Sequence, residues 1–326
     1  MKKIKKKAVI LKAKIRTKTG FIDKKSRKPE RKKIALRQTQ GDPEQRRRIG
    51  LALGGGGAKG LAHIGVIKVL ESAGVPIDFI AGTSMGSLIG GWYAMTKDIL
   101  FLENLFLKID NHDVFSKRKI LKNGDLFKDK SIVELLEIGL GDKKIEKCKI
   151  PFWAVATDVN NGEKVILKKG NLETAIKASS AIPIFFKPVK FNKRMLTDGG
   201  LCDPVPADVV KEMGADIVIA VDVSSKWVDF SEEEFRISHI PSLIGEVASV
   251  AEYQIAKPIL EKADVVLKPV VLSYDWHDFY KAKEIMREGN REAKRNLSLI
   301  EKISGYKLKE EEKPFFERFL NTIAKD

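Results

Sequence analysis

Ile49-Gly-Leu-Ala-Leu53 is a short apolar run that ends in four glycines, and beyond them Leu61, Ile64, Ile67 and Leu70 fall at helical spacing until Gly74. This predicts a strand, a tight turn and a helix over Ala58–Ala73. Ile77–Ala81 predicts a second strand, followed by a Gly/Ser turn and a helix of small and apolar residues. Further strands are expected at Phe152–Val159, Lys164–Leu167, Asp216–Val223 and Val265–Lys268. Helices are expected around Leu172–Ser179, Ala207–Met213, Leu243–Leu260 and Phe279–Lys302. Strands alternating with helices predict an α/β fold of three layers, with helices on both faces of a parallel or mostly parallel sheet. Between residues 98 and 150 the pattern is irregular, mixing Phe101, Leu102, Leu105, Phe106 and Leu107 with Lys and Asp. That stretch reads as an insertion over the domain, a place for a lid or a substrate-binding surface.

Residues 1–48 show neither period and are expected to be a disordered basic arm. No repeat and no Pro- or Ser-rich linker divides the remainder of the chain, so a single domain over 49–305 is expected, with a C-terminal tail at 306–326. Charge sharpens this division. The chain of 326 residues has a net charge of +16, which suggests a nucleic-acid binder until it is located. Residues 1–48 hold 20 Lys/Arg and 4 Asp/Glu, and the rest of the chain holds 40 of each. The body is neutral and has no electrostatic signature of nucleic-acid binding. The arm either attracts anionic lipid headgroups, a peripheral membrane contact worth about 1 kcal/mol per basic residue, or is a solvated extension. Two cysteines, Cys148 and Cys202, cannot build a disulfide framework, which points to a reducing, cytoplasmic compartment. Phe79–Thr96 is uncharged over 18 residues, near the lower limit for a spanning helix. Its glycines and serines belong to a motif that explains it better, and no transmembrane segment is expected.

That motif is Gly82-Thr83-Ser84-Met85-Gly86, a G-x-S-x-G directly after a predicted strand and before a predicted helix. This is the setting of a nucleophile elbow, where a strained turn projects the serine hydroxyl at a helix N-terminus. A second glycine-rich turn, Gly54-Gly55-Gly56-Gly57-Ala58-Lys59-Gly60, can expose successive N–H groups to an anion. Gly55, Gly57 and Gly60 satisfy the letters of a dinucleotide fingerprint. The acid that fingerprint needs at the end of the second strand is missing, since Asp78 stands at its start. The Walker pattern fails because Leu61 follows Gly60. An oxyanion hole beside Ser84 accounts for both turns.

A nucleophilic serine needs a base. His63 lies one turn into the helix after the glycine loop and is either near the site or a packed helical histidine. His239 and His277 come late enough for a Ser–Asp–His order but lack a strand-to-loop setting. Asp198, in Leu196-Thr197-Asp198-Gly199-Gly200, is the stronger candidate, because a carboxylate in a Gly-Gly turn can point inward. It serves as a base only if desolvated and tightly placed; a plain β-turn Asp is the competing reading. Cys202 reads as a packing residue, and Asp158 as a residue that orders either the sheet edge or the site.

The ordered set formed by the glycine loop, Gly82-Thr-Ser-Met-Gly-Ser87, Ala178-Ser-Ser-Ala-Ile-Pro-Ile-Phe-Phe186 and Asp198-Gly-Gly-Leu-Cys-Asp-Pro-Val-Pro206 resembles the patatin-like phospholipase family in its bacterial branch. The resemblance runs from about Ile49 to about residue 300. It implies a Ser–Asp dyad with Ser84 as nucleophile and Asp198 as base, and an oxyanion hole at Gly55, Gly56 and Gly57. Gly54, Lys59, Gly60, Gly82, Gly86, Gly199 and Gly200 are then supporting motif positions. The expected reaction is acyl-ester hydrolysis of phospholipids or lysophospholipids, with no cofactor or metal and no nucleic acid as partner. The competing class is a catalytically silent lipid- or nucleotide-binding module docked by its basic arm; the intact Ser84 and Asp198 speak against it.

Overall fold

The structure is a computed structural model that describes residues 46–108, 139–183, 185–224 and 240–309. Nearly all of the expected arm, the middle of the 98–150 insertion and most of the 306–326 tail lie outside the described residues. The first strand, β1 (Ile49–Leu53), is buried from end to end, as a strand covered on both faces must be. Ile49, Leu51 and Leu53 point into the larger core, and Ala52 points into the smaller one.

The larger core is closed by α1 (Ala62–Ser72), α2 (Met85–Thr96), α3 (Ile99–Phe106), α4 (Leu172–Ser179) and α7 (Ala282–Ser304). Across the sheet, α5 (Ala207–Glu212) and α6 (Ile240–Leu260) cover the other face. Gly50 lets α5 come close, since a Cβ there would lie 2.1 Å from Val210 Cγ1. The result is the expected three-layer α/β/α arrangement.

The remaining strands are β2 (Phe79–Thr83), β3 (Phe152–Asp158), β4 (Lys164–Leu167), β5 (Val189–Phe191), β6 (Arg194–Asp198), β7 (Ile217–Val221) and β8 (Val265–Leu267). They lie in the order β5-β6-β3-β2-β1-β7-β8, with β4 paired to β3. From β3 through β2, β1 and β7 to β8 the pairing is parallel. The pairs β3–β4, β3–β6 and β5–β6 are antiparallel.

One detail of this register positions the candidate site. Thr83 of β2 pairs with Val155, and Asp198 of β6 pairs with the next residue, Ala156. Because β4 spans both positions on β3, β2 and β6 follow one another along the opposite edge.

The helix expected over Ala58–Ala73 is entered through a 3₁₀ turn, Gly57–Leu61, before α1 begins. The start of the segment read as an insertion is part of the core. In α3, Leu102 and Phe106 are buried, and Phe101 stacks on Trp92 with ring centroids 5.1 Å apart. On the outer layer α7 lies against α1 through two glycines. A Cβ on Gly65 would meet Met286 O at 1.9 Å, and one on Gly289 would meet Ala62 O at 1.9 Å. Beyond α7 the chain returns to the body, where Lys309 N donates to Ala73 O at 2.9 Å. Among the described residues no helix is long and apolar enough to cross a membrane.

Candidate active site

Ser84 sits between the end of β2 and the start of α2 with φ 52° and ψ −122°. This left-handed backbone is strained for a residue with a side chain. The turn closes only because its flanking positions are bare. A Cβ on Gly82 would lie 2.4 Å from Gly86 O, and one on Gly86 would lie 2.1 Å from Leu53 O. The elbow is held from three sides. Ser84 N donates to Ser179 Oγ at 3.1 Å, Ser84 O accepts from Ser87 Oγ at 2.7 Å and from Ser180 Oγ at 3.1 Å, and Thr83 Oγ1 donates to Asp203 O at 2.7 Å.

Ser84 Oγ donates to Asp198 Oδ2 at 2.7 Å, and both side chains are buried. The other carboxylate oxygen, Oδ1, accepts from Gly200 N at 2.8 Å. The Asp198 backbone is fixed by Asp198 N donating to Ala181 O at 3.0 Å and by Thr157 Oγ1 donating to Asp198 O at 2.8 Å. Burial raises the Asp198 pKa to about 6, against the lowering effect of the Gly200 and Ser84 hydrogen bonds. Desolvation thus makes this carboxylate a stronger base than an exposed one.

Holding such a group ionised costs stability. The folded chain retains the Asp198 proton up to about pH 6, whereas an unfolded Asp releases it near pH 4. The parent therefore loses stability as pH rises through that interval. Asp198→Asn is expected to melt above the parent at pH 7.5, and the gap should shrink toward pH 4. Calorimetry at the two pH values checks this; a variant that melts below the parent at pH 7.5 rejects it.

The glycine loop passes alongside. A Cβ on Gly55 would lie 3.3 Å from Ser84 Cβ, and Gly60 packs on Met85. Gly56 and Gly57 have φ 139° and 55°, conformations that glycine adopts at little cost. The four amides differ in use. Gly54 N donates to Val221 O at 3.1 Å and Gly55 N to Pro204 O at 2.9 Å, so the first two are engaged by the scaffold. Lys59 is buried in the same loop.

His63 is fully buried, and its Nε2 lies 2.8 Å from Gly54 O. Burial lowers its pKa to about 4. The neutral ring ties the glycine loop to α1 and makes no hydrogen bond to Ser84 or Asp198. Asp78 Oδ2 accepts from Ile49 N at 2.8 Å, a structural use at the foot of the sheet. Cys202 Sγ lies 3.1 Å from Thr157 Oγ1, and burial raises its pKa, so it is a packing thiol. Asp158 accepts from Asn160 N at 3.0 Å and lies 3.4 Å from Arg194 Nη1, at the end of β3 where it pairs with Leu196 of β6.

Three contributors are given no role by the sequence, although Ser179 and Ser180 fall within the Ala178–Phe186 motif. Ser179 and Ser180 cradle the elbow through their hydroxyls. Glu252, half-buried on α6, brings its carboxyl to within 2.3 Å of where a Gly200 Cβ would stand, with Asp198 Oδ1 3.1 Å from the same point. Burial, and then the Asp198 charge, raise the Glu252 pKa to about 8, against the pull of Lys59. Its only sequence signal is an acid within a mostly apolar helix. Gly199 is equally confined, since a Cβ there would meet Val155 O at 2.3 Å.

Comparisons with known proteins agree with this architecture. The family model described as Patatin-like phospholipase matches residues 51–211. The chain is 31% identical over 278 residues to Lysophospholipase NTE1 of Yarrowia lipolytica, covering 74% of this chain and 19% of that protein. It is 32% identical over 277 residues to a patatin-like phospholipase domain-containing protein of Caenorhabditis elegans, covering 74% and 20% respectively. It is 37% identical over 188 residues to an uncharacterized NTE family protein of Mycobacterium tuberculosis, covering 54% and 49%. The chain thus spans a small part of the first two relatives and about half of the third. Its motifs, fold and matched span place it together with them, and the chain belongs to the patatin-like phospholipase family.

Proposed function

We propose that the chain hydrolyses carboxylic esters of lysophospholipids or phospholipids, using Ser84 as nucleophile and Asp198 as base. The observation that carries this reading is the 2.7 Å hydrogen bond from Ser84 Oγ to the buried Asp198 carboxylate. In the first half-reaction Asp198 Oδ2 takes the hydroxyl proton as Oγ bonds to the ester carbonyl carbon. The carbonyl oxygen becomes an oxyanion, received by the Gly56 and Gly57 amides, since the Gly55 amide is engaged by Pro204 O. Collapse breaks the ester C–O bond, and the departing alkoxide takes the proton from Asp198. Water then donates a proton to Asp198, attacks the acyl-enzyme and releases the fatty acid as Ser84 regains its proton.

A base of pKa about 6 suits this cycle, because it is ionised at neutral pH and is still basic enough to accept a proton in the transition state. The name of the Yarrowia lipolytica relative, a lysophospholipase, supports single-chain lipids as the substrate class. The basic arm, with 20 Lys/Arg in residues 1–48, supports a peripheral contact with anionic membrane. Two cysteines without a disulfide support a reducing, cytoplasmic setting.

The test is release of free fatty acid from lysophosphatidylcholine and phosphatidylcholine by the purified chain. Release is expected from at least one of the two, with kcat/KM falling below an apparent pKa of about 6. A folded protein that releases none from either points instead to a silent lipid-binding module.

A further inference from the structure

The segment that joins the two halves of the candidate dyad starts at Ser179 and Ser180, which hydrogen-bond the Ser84 backbone, and ends at Asp198. Over residues 180–197 it contains Lys187, Lys190, Lys193 and Arg194 and no acidic residue. The neutral balance of the body makes this run distinctive. All four side chains are exposed. Arg194 lies 3.4 Å from Asp158 and 3.7 Å from Glu163, so the surplus charge of the hairpin rests chiefly on Lys190 and Lys193.

Apolar side chains stand on the same surface. Lys190 pairs with Met195 across β5 and β6, which puts the two on one face of the sheet. Val159 N donates to Met195 O at 2.9 Å, continuing the surface onto the end of β3. Met195, Val159 and Leu201 are 40%, 49% and 47% exposed. Beside them a cavity of about 370 Å³ is lined by Thr157, Val159, Pro183, Phe186, Pro188 and Leu201, with Asp158 also in its wall. Apolar side chains among lysines, next to an apolar recess, are matched by acyl chains beneath negatively charged headgroups.

We propose that the β5–β6 hairpin and the adjoining end of β3 form the surface by which this protein lies on a bilayer containing anionic lipid. Met195, Val159 and Leu201 enter the headgroup–acyl boundary, and Lys190 and Lys193 meet the lipid phosphates. The proposal gives the lipid-ester reading its route to substrate and rests on that reading for its purpose. A surface carried by the segment between Ser180 and Asp198 delivers the dyad to the lipid–water interface, where the esters are.

The experiment uses the full chain with Met195→Trp, and Leu299→Trp as the control. Leu299 is also exposed, at 43%, but it lies on α7 in the opposite helical layer. Vesicles of phosphatidylcholine brominated in its acyl chains, mixed with phosphatidylglycerol, quench an indole that enters the bilayer. Quenching is expected for Met195→Trp beyond that of the parent, and not for Leu299→Trp. Adding Lys190→Glu and Lys193→Glu should weaken vesicle binding by about tenfold or more, while turnover of a soluble short-chain ester stays within about twofold of the parent. Equal quenching of the two indole variants overturns the proposal, even if sedimentation finds the protein bound through another surface. Failure of the protein to bind these vesicles also overturns it. Loss of soluble-ester turnover in the parent would reject the catalytic reading while leaving the quenching result to stand alone.

Discussion

Ser84→Ala is expected to lower fatty-acid release by about 10⁴-fold or more and to abolish covalent labelling by a fluorophosphonate, with little change in melting temperature. The substitution removes only Oγ, whose hydrogen bond goes to Asp198. Alanine meets the same backbone strain at φ 52°, so the elbow neither gains nor loses on that account. Asp198→Asn keeps the side-chain shape but removes the proposed base, and activity should fall by about 10³-fold or more. In the proposed mechanism the two residues act on one proton, so the double variant should be scarcely slower than Ser84→Ala alone. Persistent labelling of folded Ser84→Ala would identify a different nucleophile and reject the dyad.

Gly289→Ala, like Gly65→Ala on the facing helix, should cost a large share of stability for a single added methyl. At this position α7 meets α1 backbone to backbone, and the new Cβ would stand 1.9 Å from Ala62 O. Such an overlap is relieved only by moving one helix away from the other. Overpacking of this kind costs about 1–3 kcal/mol and sometimes more, and a main-chain oxygen yields less than a side chain does. The expected loss is therefore at the upper end, about 3 kcal/mol, and larger for Gly289→Val. The displacement also has a path to the site, because α1 carries His63, which holds Gly54 O at 2.8 Å. Urea unfolding measures the loss. A variant within about 0.5 kcal/mol of the parent would show that the two helices separate easily.

Much of this architecture is legible in the residues. The expected boundaries of β1, β4 and α4 match, because those elements combine regular apolar spacing with a glycine, asparagine or polar stop. The strand expected at Ile77–Ala81 runs instead from Phe79 to Thr83. Asp78 is drawn into a hydrogen bond with Ile49 N at the strand's start, and the glycine of the elbow still pairs with β3. The strand β5 carries no usable signal, since it is only Val189–Phe191 with exposed Lys190 at its centre. The pairing of Ser84 with Asp198 is readable only through the family resemblance, because nothing in local spacing brings together residues 114 positions apart. Glu252 and the engaged Gly55 amide depend on tertiary approach, and no pattern of neighbours in the sequence encodes them.

Because β3 receives Thr83 and Asp198 on consecutive residues, the spacing between Ser84 and Asp198 is measured along one strand rather than along the chain between them. That strand works as a gauge, and the number of intervening residues does not enter the measurement. Doubling a flexible loop costs only about 0.6 kcal/mol in closure entropy. A change in the number of residues between positions 108 and 139 therefore leaves the distance from Ser84 to Asp198 where β3 sets it.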